Sequence, residues 1–179
     1  MSKKALLISS SYRKGGNSDQ LADSFAEGAR SAGHEVEKIS LKDKQINFCR
    51  GCLACQKTLK CVMKDDAGEI IEKIKNSEVI AFASPIYYYE MCGQLKTLLD
   101  RCNPIFPAEY EFRDIYFLAA CADTEQSAMD YAIGGIQGWI ACFENSSLKG
   151  VVRATGVTEI GDIKGNSALR DAYEAGRKI

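Results

Sequence analysis

Five short apolar or β-branched runs alternate with five amphipathic stretches along this chain, and that alternation leaves few folds open. The runs are KALLISSS, HEVEKISL, VIAFAS from Val79, IYFLAAC from Ile115 and LKGVVRATGV from Leu148. Three are apolar nearly throughout, as strands buried on both faces of a parallel sheet are, whereas HEVEKISL alternates Val36, Ile39 and Leu41 with charge as a strand near a sheet edge does. Between the runs, apolar residues recur at helical spacing. Leu21, Ala22, Phe25, Ala26 and Ala29 make the first stripe, with Gly33 as its stop. Ile70, Ile71 and Ile74 follow Asp66 and Glu69, which read as a capping box. Leu95, Leu98, Leu99 and Cys102 form a third stripe, Ile133, Ile136, Ile140 and Phe143 a fourth, and Leu169, Ala172, Tyr173 and Gly176 a weaker fifth. A β-α order repeated in this way predicts parallel strands, right-handed crossovers and helices on both faces of one sheet.

Such a sheet binds ligands beyond the carboxyl ends of its strands. The loops of interest therefore start at Ser9, Ser84, Ala120 and Ala154, with a long connection from Lys42 to Lys64. The first, SSSYRKGGNS, offers hydroxyls, paired glycines Gly15 and Gly16, Arg13 and the open N–H groups of a helix start, which together suit a terminal phosphate. It carries neither G-x-G-x-x-G nor G-K-[ST], which argues against tightly held NAD and against ATP. The second, ASPIYYYEMCGQLKTLLDR, sets Pro85 and Tyr87, Tyr88 and Tyr89 where their faces could line a flat heteroaromatic ring.

The long connection holds Cys49, Cys52, Cys55 and Cys61, half of the eight cysteines in 179 residues. Hydrophobic residues at 46%, a net charge of -1 and no run of about 20 apolar residues describe a soluble, cytoplasmic protein with neither a nucleic-acid nor a membrane footprint. In a reducing compartment, thiols this close favour metal or redox chemistry over a disulfide framework. C-x2-C-x2-C-x5-C provides the four soft ligands of a [4Fe-4S] cluster but departs from the ferredoxin run, which has x3 and a trailing proline. Zinc, a thiol–disulfide pair, or cysteines that pack or sense redox state stay open beside the cluster. Cys92, Cys102, Cys121 and Cys142 read as small buried hydrophobes, and His34 as a solvated turn residue. Asp65 and Asp66 read as helix N-terminal charges. Trp139, among Gly134, Gly135 and Gly138, suggests a helix packed closely on a partner subunit.

SSYRKGGNS, SPIYYYEMCGQLKTLLDR and TGVTEIGDIKGN together resemble the NAD(P)H-dependent FMN reductases of the flavodoxin-like superfamily, and the compact cysteine motif resembles that of the iron-sulfur flavoproteins among them. Most of these cysteines followed by an Asp pair, as in CVMKDD, are also kept in reductases without a demonstrated cluster. The resemblance spans nearly the whole chain. It implies one domain over residues 1–179, a three-layer sandwich with a five-stranded parallel sheet in the order 2-1-3-4-5, and a cysteine-rich loop at about residues 47–64. It further implies FMN held by Ser11, Arg13, Gly16, Asn17 and Ser18 at the phosphate and by Ser84, Pro85, Ile86, Tyr87, Tyr88 and Tyr89 at ring and ribityl. Ala122 and Asp123 would meet the ring's edge, and Cys49, Cys52, Cys55 and Cys61 would hold a [4Fe-4S] cluster. NAD(P)H as co-substrate, a small-molecule or protein electron donor or acceptor, and a homodimer or homotetramer complete the expectation. No side chain is expected to act as acid or base, because the flavin N5 carries the chemistry. Tyr12 stands where such proteins commonly have proline, and CADTEQS lacks the glycines often found after the fourth strand. Two rivals are a cluster-free reductase of quinones or free flavin, and a flavodoxin-like electron carrier; a carrier's strongly acidic surface does not fit a net charge of -1.

Overall fold

The computed structural model describes residues 1–179. The strands are β1 (Lys4–Ser9), β2 (Glu35–Ser40), β3 (Val79–Tyr87), β4 (Glu90–Met91), β5 (Asp114–Ala120) and β6 (Ser147–Ala154). The helices are α1 (Asn17–Ser31), α2 (Ala54–Thr58), α3 (Ala67–Lys75), α4 (Gly93–Arg101), α5 (Asp130–Ile140) and α6 (Ser167–Arg177). Five strands pair in parallel in the order β2-β1-β3-β5-β6. This is the expected order once the short antiparallel β4, which pairs only with the end of β3, is set aside.

Two apolar clusters make the sandwich. One packs Ile70, Ile74, Leu95, Leu98 and Ile136 of α3, α4 and α5 on one sheet face; the other packs Leu21, Phe25, Ala168 and Ala172 of α1 and α6 on the opposite face. The latter pair cross with almost no gap. A Cβ at Gly28 would overlap the Tyr173 carbonyl, and one at Gly176 would overlap that of Phe25, so backbone meets backbone at two glycines. The Trp139 ring packs 4.7 Å from Phe143 and edge-on to Phe82 at 5.6 Å, while Gly134, Gly135 and Gly138 of the same helix are exposed. No helix is long and apolar enough to cross a membrane.

Three local expectations are corrected. The capping box at α3 does not form. Asp66 puts its carboxylate on the Gln45 N–H at 2.6 Å, and Asp65 instead accepts from the Ala67 N–H at 3.2 Å. Cys142 is exposed rather than buried, because it falls just past the end of α5. Strand β3 continues three residues beyond Ser84, since β4 folds back on it and pairs Ile86 with Met91 and Tyr87 with Glu90.

Candidate functional site

The cradle begins at Gly16, the extended residue ahead of α1. No side chain caps this helix, so the N–H groups of its first turn are left to whatever enters the cleft. Gly16 is tightly enclosed: a Cβ there would sit 2.7 Å from the Ser11 hydroxyl and 3.0 Å from the Arg13 carbonyl, so a larger side chain would displace one or both. The Ser18 hydroxyl is buried, its residue 2% exposed, and has no hydrogen-bond partner. A buried hydroxyl without a partner costs about 1–3 kcal/mol, so it marks a place for an acceptor that an anion would supply. Behind the loop, Ser9 donates to Asp19 at 2.6 Å, and Lys38 bridges Asp19 at 2.7 Å and Asp23 at 2.6 Å. Burial pushes the Asp19 carboxyl up, but its bonds to Lys38 and Ser9 prevail and hold it below the usual range.

Ser11, Arg13, Gly16, Asn17 and Ser18 line one side of a cleft of about 170 Å³. Its other walls are Pro85, Ile86 and Tyr87 from β3, Ala120 to Ala122 from the end of β5, and Val157 with Thr158 after β6. Cys121 reads in the sequence only as a small buried hydrophobe, and Val157 and Thr158 only as part of TGVTEIGDIKGN; the sheet order is what brings all three beside loop one. Arg13 donates to the Thr158 carbonyl at 2.7 Å, and Asn17 donates to Glu159 at 3.0 Å while accepting from the Ile163 N–H at 3.3 Å. Asn17 thereby fastens the C-terminal loop over the cradle, with both ends of its amide engaged. Asp162 tightens that loop by accepting from the N–H groups of Thr158 and Glu159, bonds that also hold its carboxyl below the usual range.

Other predicted residues fall elsewhere. Ser84 is buried; its hydroxyl donates to the Pro85 carbonyl at 2.8 Å and accepts from the Cys92 N–H at 3.1 Å, so it braces the hairpin from behind. Asp123 turns its carboxylate onto the Glu125 N–H, while Ala122 lines the cleft. Tyr88 and Tyr89 form the two-residue turn between β3 and β4, with φ of 50° and 67°. Positive φ at both positions gives the primed turn that matches strand twist, usually an Asn-Gly role. All three tyrosines are exposed, Tyr88 completely at 100%. None belongs to the core. On the far side of Tyr87 lies a larger hollow of about 430 Å³, whose walls include Tyr12, Ile46, Phe48, Gln94 and Thr97.

The cysteine loop is fastened from outside. Arg101, at the end of α4 and 1% exposed, donates through both terminal nitrogens to Asp65 at 2.7 and 2.9 Å. The same guanidinium reaches the Asn47 carbonyl at 2.7 Å and the Cys61 sulfur at 3.3 Å. Burial raises the Asp65 pKa, yet hydrogen bonds from Arg101 and Asn47 outweigh it and hold the carboxyl far below its ordinary value. Asn103 donates to the Cys55 sulfur at 3.3 Å, and the Gly51 N–H to that of Cys49 at 3.5 Å. Donors aimed at sulfur are what metal-bound thiolates receive. The four thiols themselves stand apart: no three His, Cys, Asp or Glu side chains gather closely enough to hold a metal ion.

Residues 3–132 match the family of the NADPH-dependent FMN reductases. The chain belongs to that family. An iron-sulfur flavoprotein of Archaeoglobus fulgidus is 31% identical over 176 residues, covering 93% of this chain and 84% of that protein. A second from the same organism is 38% identical over 101 residues, covering 56% and 46%, and one of Methanocaldococcus jannaschii is 39% identical over 102 residues, covering 57% and 53%. This reductase-family chain thus spans about half the length of those last two relatives. Among solved structures, an NAD(P)H:quinone oxidoreductase from Methanothermobacter marburgensis superposes with a TM-score of 0.74 at 18% identity, over 99% of this chain and 98% of that one. An azoreductase from Bacillus anthracis gives 0.74 at 13% identity over the full length of both chains. At such identities the likeness shows the shared flavodoxin-like fold.

Proposed function

We propose that this protein is an FMN-dependent oxidoreductase that takes electrons from NAD(P)H and passes them to a small-molecule or protein acceptor. The observation that carries the reading is the cradle: an uncapped helix start, a glycine whose place a Cβ would crowd against Ser11 and Arg13, and an orphaned Ser18 hydroxyl converge at the carboxyl end of β1. These residues fit a phosphate monoester. FMN, when bound, supplies hydride acceptance and the conversion between two-electron and one-electron transfer. The chain's part is to bind and orient. Ser11, Ser18 and the first-turn N–H groups of α1 would hold the phosphate, while Arg13 and Asn17 hold the Thr158–Ile163 loop closed beside it. Pro85, Ile86 and Tyr87 would present an apolar wall to the ring, and the hollow beyond Tyr87 would admit the nicotinamide or the acceptor. No acid or base is required.

The relatives named iron-sulfur flavoproteins, together with the N–H donors aimed at Cys49, Cys55 and Cys61, support a [4Fe-4S] cluster on the cysteine loop as the finer reading. The cluster-free reductase is the alternative. Anaerobic purification with iron and sulfide determination decides between them: about four of each per chain supports the cluster, and none supports the bare flavoprotein. Steady-state oxidation of NADH and NADPH by the FMN-loaded protein tests the enzyme itself. Turnover with neither nucleotide would reduce it to a carrier.

A further inference from the structure

Two of the four loop thiols are held by residues outside the loop, and two are not. Cys61 faces the buried guanidinium of Arg101, and Cys55, 8% exposed, faces the Asn103 amide. Cys49 and Cys52 are exposed and flank Gly51, whose φ is 63°. Arg101, the last residue of α4, and Asn103, two positions on, belong to the sheet-packed body of the protein, since Leu98, Leu99 and Cys102 beside them are core. Arg101 is also anchored on both sides, by Asp65 ahead of α3 and by the Asn47 carbonyl at the entrance to the loop. One of its donors, Nε–H, is buried without any acceptor. A guanidinium shared between one carboxylate, one carbonyl and one sulfur, with a donor still unmatched, is built to meet more negative charge than the loop alone carries.

We propose that Arg101 and Asn103 are positioning residues that fix the Cys61 and Cys55 sulfurs in advance, so that the cysteine loop is a half-assembled sulfur site which the exposed Cys49 and Cys52 close. This rests on the reading of the loop as a site for a thiolate-bound metal centre, but the fixing of two sulfurs is a property of the chain itself and is read without iron.

The test is timed alkylation of the iron-free, FMN-loaded protein with iodoacetamide, followed by mass spectrometry of each cysteine. In the wild type Cys49 and Cys52 are modified first, and Cys55 and Cys61 lag. Asn103→Ala raises the rate at Cys55 by about fivefold, the size of one lost hydrogen bond, and leaves Cys61 unchanged. Arg101→Lys keeps the charge but not the forked donors, and raises Cys61 selectively. Should Arg101→Lys fail to fold, Asn103→Ala alone decides. Equal rates at all four wild-type thiols, or an Asn103→Ala protein with an unaltered Cys55, would overturn the proposal. Iron and sulfide content after anaerobic reconstitution is a separate readout: retention lost in both variants extends the positioning role to the metal centre. A wild type that takes up no iron sinks the cluster reading while leaving the alkylation pattern to judge the positioning.

Discussion

At the scale of single residues, Ser18 and Asp65 make opposite demands on the free protein. Ser18 carries a buried hydroxyl with no partner, so Ser18→Ala should leave thermal stability unchanged or slightly higher while weakening FMN. A hydrogen bond to a charged group contributes about 1.5–3 kcal/mol, which places the loss of affinity at roughly tenfold to a hundredfold, measurable by flavin fluorescence titration. Asp65 is the counter-ion of a fully buried Arg101. Replacing it with Asn leaves that charge uncompensated and should cost about 3–5 kcal/mol in urea unfolding. Its carboxyl is held below the ordinary value of 3.8, so its contribution is complete above that value and disappears as pH falls through the lower folded-state pKa. Asp65→Asn should therefore flatten the acid limb of the stability profile below about pH 4 and leave the neutral limb parallel to wild type. The sequence showed Asp65 only as a helix-start charge. Its partner lies 36 positions away on α4, a pairing that spacing within one element cannot reveal.

Among the elements, the hairpin after β3 departs most from what its residues prefer. Two tyrosines occupy left-handed positions that cost about 1–2 kcal/mol each for L-residues. Exchanging Tyr88 and Tyr89 for Asn and Gly should raise the melting temperature and weaken FMN binding if the strained turn exists to hold Tyr87 beside the ring. The α1–α6 crossing predicts the reverse kind of result: Gly176→Ala should destabilise the fold by about 1–3 kcal/mol in chemical unfolding with little effect on flavin affinity. The parallel strands and the five main helices were legible because their apolar periodicity is strong over whole elements. The hairpin was not, since β4 is only two residues long and YYY carries no turn signal; Tyr87 looked like a loop residue and is a strand residue. The short helix α2 escaped for a similar reason: five residues within the cysteine run hold too little periodicity to read.

For the molecule as a whole, sheet order creates the site. Placing β1 between β2 and β3 turns loop one toward the ends of β3, β5 and β6, and so joins Ser18, Tyr87, Ala122 and Thr158 around one cleft. The phosphate end of that cleft was legible from loop one alone, whereas the closure by Thr158 to Ile163 depends on contacts across more than 140 positions. The cysteine loop leaves β2, runs into α3 and is tied to the end of α4 through Arg101 and Asn103. Membership of the reductase family fixes what such a molecule is expected to hold, and the cradle is where the expectation is most exposed to test. The deciding measurement is isothermal titration of FMN, with riboflavin in parallel, into the wild type and into Gly16→Val. The account predicts one FMN per chain for the wild type, riboflavin weaker by at least about tenfold for want of the phosphate's charged hydrogen bonds, and no FMN binding by a Gly16→Val protein that still unfolds cooperatively. Equal affinity for FMN and riboflavin, or undiminished FMN binding by Gly16→Val, would contradict it.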